Sequence, residues 1–482
     1  VFRLELDLHP DDAPRLARLK PLASIRAGRA RTAPAHLVWL DTPDAALAAD
    51  GLALLEQSGA LRLERTRPNG VDWPVGAPAP VVADPADRAD LPGPLMPWAA
   101  LQGRSVLMAL AGSQGPLSLT VLHGTMRSVQ AERPACRLLI QGEETDVLAL
   151  ARGVAAELRA GLPCAALSAE AVAAARGLPP TARRLGPPVL PPGLTVGEAF
   201  AVVTTHLTDV MLYWCGQASP EAPEPVHQAR VALRRLRSAF SIFRAAADGP
   251  ALAQANAGLK ALGRALGPAR DWDVFTAGLG ARLGEAFAED PAMARLLRAA
   301  EARRLAAYQA LTAYLATPAL RALALDCVAL GAGAAWREAL EPEQRERLAE
   351  PLSAYAAALL DRRHARLCTA GEAFESLPPA ALHDVRLIGK RLRYGCEFFA
   401  GLYPAKPARR FLRRLVRLQE RLGVLNDAVV AAGLLAELPG SGAAHAGAIG
   451  VVRGYAAAGT EQMRPRLERA WRQFTEAVPF WH

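Results

Sequence analysis

The chain carries one short basic stretch twice. The first copy is His227-Gln228-Ala229-Arg230-Val231-Ala232-Leu233-Arg234-Arg235-Leu236-Arg237, and the second is His383-Asp384-Val385-Arg386-Leu387-Ile388-Gly389-Lys390-Arg391-Leu392-Arg393. Both read H-x-x-R-x-x-x-[RK]-R-L-R, at an offset of 156 residues. The same offset takes Leu262, Leu266, Gly267 and Asp271 onto Leu418, Leu422, Gly423 and Asp427. A register kept without a gap from the histidine to the aspartate marks an internal duplication, so the later part of the chain folds as two similar halves.

The spacing within each copy is helical. At about 100° per residue, His227, Arg230, Arg234 and Arg237 fall within one sector of roughly 80°. Leu233, Leu236, Phe240 and Phe243 occupy a neighbouring sector, the pattern of a helix with one buried face. His383, Arg386, Lys390 and Arg393 beside Ile388, Leu392 and Phe399 repeat it. Four cations on one side of a helix repel one another unless an anion lies across them. A single such face reads equally well as solvated surface; duplication of the face together with its histidine favours a site.

The charge balance points to the same segment. The net charge is +9, and nearly all of the surplus falls after residue 195, which favours an anionic partner. The six cysteines, Cys136, Cys164, Cys215, Cys327, Cys368 and Cys396, show neither CxxC nor Cys/His spacing. That argues against a structural zinc and against a disulfide framework. Val1-Phe2-Arg3-Leu4 does not read as a signal peptide, and Asp326 interrupts the most apolar stretch, Leu320 to Trp336. The expectation is a cytoplasmic protein with no membrane partner.

In chain order, Leu4-Glu5-Leu6-Asp7-Leu8, the run from His36 to Leu40, and Leu61-Arg62-Leu63-Glu64-Arg65 read as strands, with a turn at Pro68-Asn69-Gly70. Residues 74–99 read as loop. Strands return at 104–111, 116–123 and 136–141, and a helix is predicted from about Thr145 to Ala160. A proline-rich linker follows at 179–195, and everything after Leu194 reads as long amphipathic helices. The fold class is α+β in two domains: a β-rich antiparallel domain at 1–178 and an all-α bundle at 196–482, whose repeats are about 196–345 and 346–482.

The paired motifs, with Leu266-Gly267-Pro268-Ala269-Arg270-Asp271 and Leu422-Gly423-Val424-Leu425-Asn426-Asp427 after them, resemble the CHAD domain, the conserved histidine α-helical domain. The resemblance implies a pseudo-twofold helical bundle that binds inorganic polyphosphate on a basic surface. It places His227, Arg230, Arg234, Arg235 and Arg237 on the first motif, and His383, Arg386, Lys390, Arg391 and Arg393 on the second. Lys260, Arg264, Arg413 and Arg417 join them as further cations, the last two within a basic run from Lys406 to Arg421. Arginine suits this ligand because its planar donors grip phosphate oxygens in pairs, whereas lysine acts as a point charge. The histidines read either as capping or core groups or as ligands that donate to phosphate and strengthen binding as pH falls through about 6.5. Asp271 and Asp427 read as structural groups that cap a helix or orient an arginine.

The first domain resembles the CYTH domain of the triphosphate tunnel metalloenzymes, through Trp39-Leu40-Asp41-Thr42-Pro43-Asp44 and Gly51-Leu52-Ala53-Leu54. That implies a barrel-like sheet with a metal held on acidic side chains. The family's opening E-x-E-x-K falls on Arg3-Leu4-Glu5-Leu6-Asp7, its later acidic strand near Cys136 and Leu138, and two expected arginines on Leu55 and Gln57. Too few oxygen ligands remain for a hard divalent cation; strands shifted by two residues would bring Glu64 or Glu132 inward. The expectation is a degenerate domain kept for packing or for a protein partner, in a chain that is not an enzyme and has no catalytic residues, metal or cofactor. The functional reading is a polyphosphate-binding protein, associated with polyphosphate granules. The alternatives are a nucleic-acid binder, against which the scarcity of aromatic residues among the cations speaks, and a weak metal-dependent triphosphatase.

Overall fold

Alternation sets the first element. In β1 (Phe2–Leu8), Leu4, Leu6 and Leu8 are buried on one face, while Arg3, Glu5 and Asp7 take the other. Eight further strands follow: β2 (Arg31–Asp41), β3 (Leu52–Gln57), β4 (Ala60–Arg65), β5 (Val81–Ala83), β6 (Met96–Ala111), β7 (Pro116–Ser128), β8 (Glu132–Gly142) and β9 (Ala160–Gly161). They form one antiparallel sheet in the order β5-β4-β3-β2-β6-β7-β8-β1-β9. The expected barrel is corrected here, because among the described residues the sheet does not close. Closure needs the two outer strands to pair along their length, and these are the three-residue β5 and the two-residue β9.

Three one-turn helices, α1 (Ala13–Leu16), α2 (Lys20–Ala23) and α3 (Ala46–Ala49), fill connections. The predicted helix is α4 (Glu144–Glu157); Val147, Ala151 and Val154 are fully buried against Leu4, Leu6, Leu119 and Leu138. A helix that the sequence reading missed, α5 (Leu167–Ala175), covers the opposite face. There Leu167, Ala171 and Ala174 pack on Trp39, Leu55, Leu101 and Met126.

The helical part begins with α6 (Val196–Cys215), opened by a capping box between Thr195 and Glu198. It continues through α7 (Pro223–Ile242), α8 (Arg244–Ala247), α9 (Pro250–Val274), a π-helical stretch (Phe275–Gly280), α10 (Ala281–Ala286) and α11 (Pro291–Leu315). Two helices, α12 (Pro318–Gly331) and α13 (Pro342–Ala349), precede α14 (Leu352–Ala370), α15 (Pro379–Phe399), α16 (Ala405–Ala436) and α17 (Ala443–Thr475). The 156-residue offset carries α6 onto α14, α7 onto α15, α9 onto α16 and α11 onto α17. Phe243 and Phe399 are equivalent under that offset and meet edge to face at 6.3 Å, which marks the pseudo-twofold axis.

The two parts of the chain are joined through α12. Leu325 and Val328 complete the core under α4, and Asp326 accepts from Arg152 at 3.1 Å and from Gln254 at 3.0 Å. The aspartate that breaks the most apolar stretch is thus a buried acceptor between sheet and bundle. Among the described residues no single helix is long and apolar enough to cross a membrane.

The structure, a computed structural model, describes residues 1–65, 81–83, 93–163, 166–177, 188–438 and 443–482, without the side chains of 424–429 and 455–462 among others. The turn at Pro68-Asn69-Gly70, most of the 74–99 loop, most of the 179–195 linker and the Asp427 carboxylate lie outside the described residues.

Candidate anion-binding surface

Local sequence places both motifs in the middle of long helices. Pro223 opens α7, and Val226, Ala229, Leu233, Leu236 and Phe240 are buried along one side. The side left over carries His227, Arg230 and Arg234, all half-buried, and the exposed Arg237. On α15 the buried side is Leu382, Val385, Leu392, Cys396 and Phe399. His383 and Arg391 are exposed there, and Arg386, Lys390 and Arg393 are half-buried.

The two motif helices pack against each other. Arg234 Nε donates to Tyr394 Oη at 3.3 Å, and Arg235 Nη2 meets Glu397 Oε2 at 3.2 Å. Arg393 Nε reaches the other oxygen of Glu397 at 3.3 Å, and its guanidinium lies over the Tyr394 ring at 5.3 Å. Helices 156 residues apart in the sequence are therefore in contact, through Arg234 and Arg235 of one and Tyr394 and Glu397 of the other. Arg235 and Arg393 share the Glu397 carboxylate, which already faces both charges.

Around His227 the field is cationic. Burial lowers its pKa, and Arg270, Arg234 and Arg230 lower it further against the opposing pull of Glu224. The imidazole therefore protonates below the ordinary histidine range, not at about 6.5 as the sequence alone suggests. Burial also lowers the pKa of Arg230, with Asp271 opposing at 3.6 Å. Asp271 thus sits as a group that orients an arginine. Gly267 makes room for this arrangement: a Cβ there would stand 3.2 Å from Arg230 Nη1.

Arg270, on α9, belongs to this surface and was missed. It acts on His227, Arg230 and Asp271 alike. Its equivalent in the second half is Asn426, so a search for repeated residues passes over it. Lys260 and Arg264 are exposed on α9. On α16, Arg413 and Arg417 line an open groove with Lys406, Arg409, Leu412, Val416 and Glu420; Arg417 also donates to Gln473 Oε1 at 3.4 Å, and Arg414 to the Gln473 carbonyl oxygen at 2.9 Å.

The face of the sheet under α5 collects charges of both signs. Arg137 bonds Glu5 at 3.0 Å and also binds Asp7 and Glu170. Glu64 is paired with Arg62 at 2.7 Å and accepts from Ser168, which in turn accepts from Trp39 Nε1 at 3.0 Å. Cys136 and Leu138, assigned to the acidic strand positions from sequence, point instead into the α4 core. Arg137 between them takes the α5 side, because a one-residue slip in a strand exchanges its faces. Glu64 is inward and buried, while Glu132 is exposed and paired with Arg127 at 3.2 Å. Leu55 is core beneath α5. These carboxylates fit a divalent cation poorly, because guanidiniums already occupy them.

With this geometry in place, comparison with known proteins gives the family. A CHAD domain model matches residues 201–436. The crystal structure of the CHAD domain from the plant Ricinus communis is 32% identical, with a TM-score of 0.51 over 62% of this chain and 98% of that one. The chain belongs to the CHAD domain family. PptA from Streptomyces chartreusis is 19% identical, with a TM-score of 0.46, over 58% of this chain and 99% of its own. A putative adenylyl cyclase from Hippeastrum, described as revealing a dominant triphosphatase activity, is 17% identical, with a TM-score of 0.27, over 37% of this chain and 96% of its own. No curated protein matches the chain. The last two likenesses assign neither fold nor activity. The expectation that the chain is not an enzyme is withdrawn, since one of these neighbours is described as a triphosphatase.

Proposed function

We propose that the helical part binds inorganic polyphosphate along the two motif stripes. The observation that carries this reading is the direct packing of α7 on α15, through Arg234 with Tyr394 and Arg235 with Glu397. It supports reading His227, Arg230, Arg234, Arg237, Arg270, His383, Arg386, Lys390 and Arg393 as one cationic track. A flexible chain with about one negative charge per unit is matched by cations spread along a track, where a small metabolite needs them gathered at a point. Arg391, Lys260, Arg264, Arg413 and Arg417 are exposed and extend the reach of the surface. Association with polyphosphate granules in the cytoplasm follows as part of the same proposal.

Titration of the full chain with long polyphosphate and with single-stranded DNA at matched charge tests the reading. Polyphosphate is expected to displace the DNA. DNA binding that polyphosphate leaves intact would move the function to nucleic acid.

A further inference from the structure

Carried through the whole repeat, the 156-residue offset exposes one place where the halves do not match. Glu397, on α15, lies between Arg235 from the other half and Arg393 one turn before it, at 3.2 and 3.3 Å. The equivalents of those two arginines are Arg391 and Arg237, and both are kept. The equivalent of Glu397 is Ser241. One of two related positions has therefore lost its carboxylate without losing its guanidiniums.

The structure adds positive charge at that place. Ser241 lines an open groove with Arg244, Arg362, Arg363 and the Tyr355 ring. Arg363 donates from Nη1 to the Arg391 carbonyl oxygen at 2.6 Å, which sets the second motif at the edge of the groove. The first half has the fully buried Leu207 where the second has Arg363. The carboxylate in the lining, Asp248, is engaged by Arg244 at 3.1 Å. Among the described residues Arg237, Arg362, Arg363 and Arg391 have no ion pair. Burial, with Arg391 and Arg362 nearby, pushes the Arg363 guanidinium down to about 10.

We propose that this groove is a phosphoryl-binding subsite, in which a tetrahedral oxyanion held by the Ser241 hydroxyl, Arg362 and Arg363 stands where Glu397 stands in the other half. Arginine and a hydroxyl supply the donors such an oxyanion needs, and of the five N–H groups of its guanidinium Arg363 gives one to the Arg391 carbonyl oxygen. Free orthophosphate and the terminal phosphoryl group of a longer chain present the same oxyanion. The subsite rests on the broken symmetry of the repeat and does not require the two stripes to bind polyphosphate.

Orthophosphate titration of the full chain by calorimetry, beside Ser241→Glu and Arg363→Leu, tests it. Ser241→Glu supplies the missing carboxylate, and Arg363→Leu restores the residue of the other half. Loss of one charge-assisted contact predicts an affinity lower by about ten- to hundredfold in each variant. The thermal midpoint of Ser241→Glu should match or exceed that of the unaltered chain, which separates lost binding from lost folding. Tripolyphosphate that displaces orthophosphate and binds more tightly supports the subsite with a chain end as its ligand. Tripolyphosphate that fails to displace it supports the subsite with free phosphate as its ligand. Orthophosphate that does not bind, or binds both variants as it binds the unaltered chain, overturns the proposal. Long polyphosphate bound unchanged by Ser241→Glu would leave the reading of the stripes standing on its own.

Discussion

The sheet face under α5 and the face shared by α7 and α15 are both rich in arginine, yet they use it in opposite ways. On the sheet, Arg62, Arg133 and Arg137 each meet a carboxylate among Glu5, Asp7, Glu64 and Glu170, and Arg137 meets three. On the helices, Asp271 and Glu397 serve Arg230, Arg235 and Arg393, while Arg237, Lys260, Arg264 and Arg391 have no ion pair among the described residues. Composition does not separate the two regions; the placement of carboxylates does. Where charges are matched in a dry interior, arginine holds structure together. Where carboxylates are fewer, at a half-exposed surface, arginine is the residue on which the proposed binding rests.

The sharpest way to break this contrast is to remove Arg137. Its guanidinium is buried, and Arg137→Ala leaves carboxylates without a counter-charge, so a loss of about 3–5 kcal/mol is expected in denaturant unfolding. A loss below about 1 kcal/mol would mean that the sheet face is not held by its ion pairs. On the helical side the expected effect is on binding instead. Arg230→Ala combined with Arg234→Ala should weaken long polyphosphate by about hundredfold in a competition assay, at roughly 1.5 kcal/mol per contact. Its unfolding free energy should fall far less than that of Arg137→Ala. Equal losses of stability in the two would erase the distinction.

A smaller effect concerns pH. Burial raises the Glu5 carboxyl from its ordinary value of 4.5 to about 7, against the pull of Arg137. The folded chain therefore keeps this proton at pH values where the unfolded chain has released it. The resulting stability is fully present below pH 4.5 and is lost as pH rises through 7. Glu5→Gln should flatten that part of the pH dependence of unfolding; a slope that survives the substitution must come from another group. The smallest effect tests Glu397. Glu397→Gln removes the charge facing Arg235 and Arg393 and should tighten polyphosphate by a few fold, the scale of one partly exposed ion pair. Weaker binding in this variant would show that Glu397 positions those arginines for the ligand.

Much of the helical part was legible because its signals are local. Helical spacing separated Leu233, Leu236 and Phe240 from Arg230, Arg234 and Arg237, and those residues lie on the buried and solvent-facing sides of α7. The duplication added the second helix without further information. In the first domain, alternation gave β1 its two faces, but matching β8 to a family pattern slipped by one residue and put Cys136 and Leu138 where Arg137 stands. Alanine-rich α5 was not recognised, since its four buried positions, Leu167, Ser168, Ala171 and Ala174, make only a faint apolar stripe.

By itself the sequence determined the repeat, the two motif helices and the residue types on each of their faces. These follow from spacing along one element, where backbone geometry fixes which side chains share a side. Only the tertiary structure decided which arginines are neutralised. The partners of Arg137 come from β1 and α5, that of Arg235 from the other half of the repeat, and Ser241 leaves the matching place without one. Charge pairing depends on distances between elements far apart in the chain, and no periodicity encodes those distances.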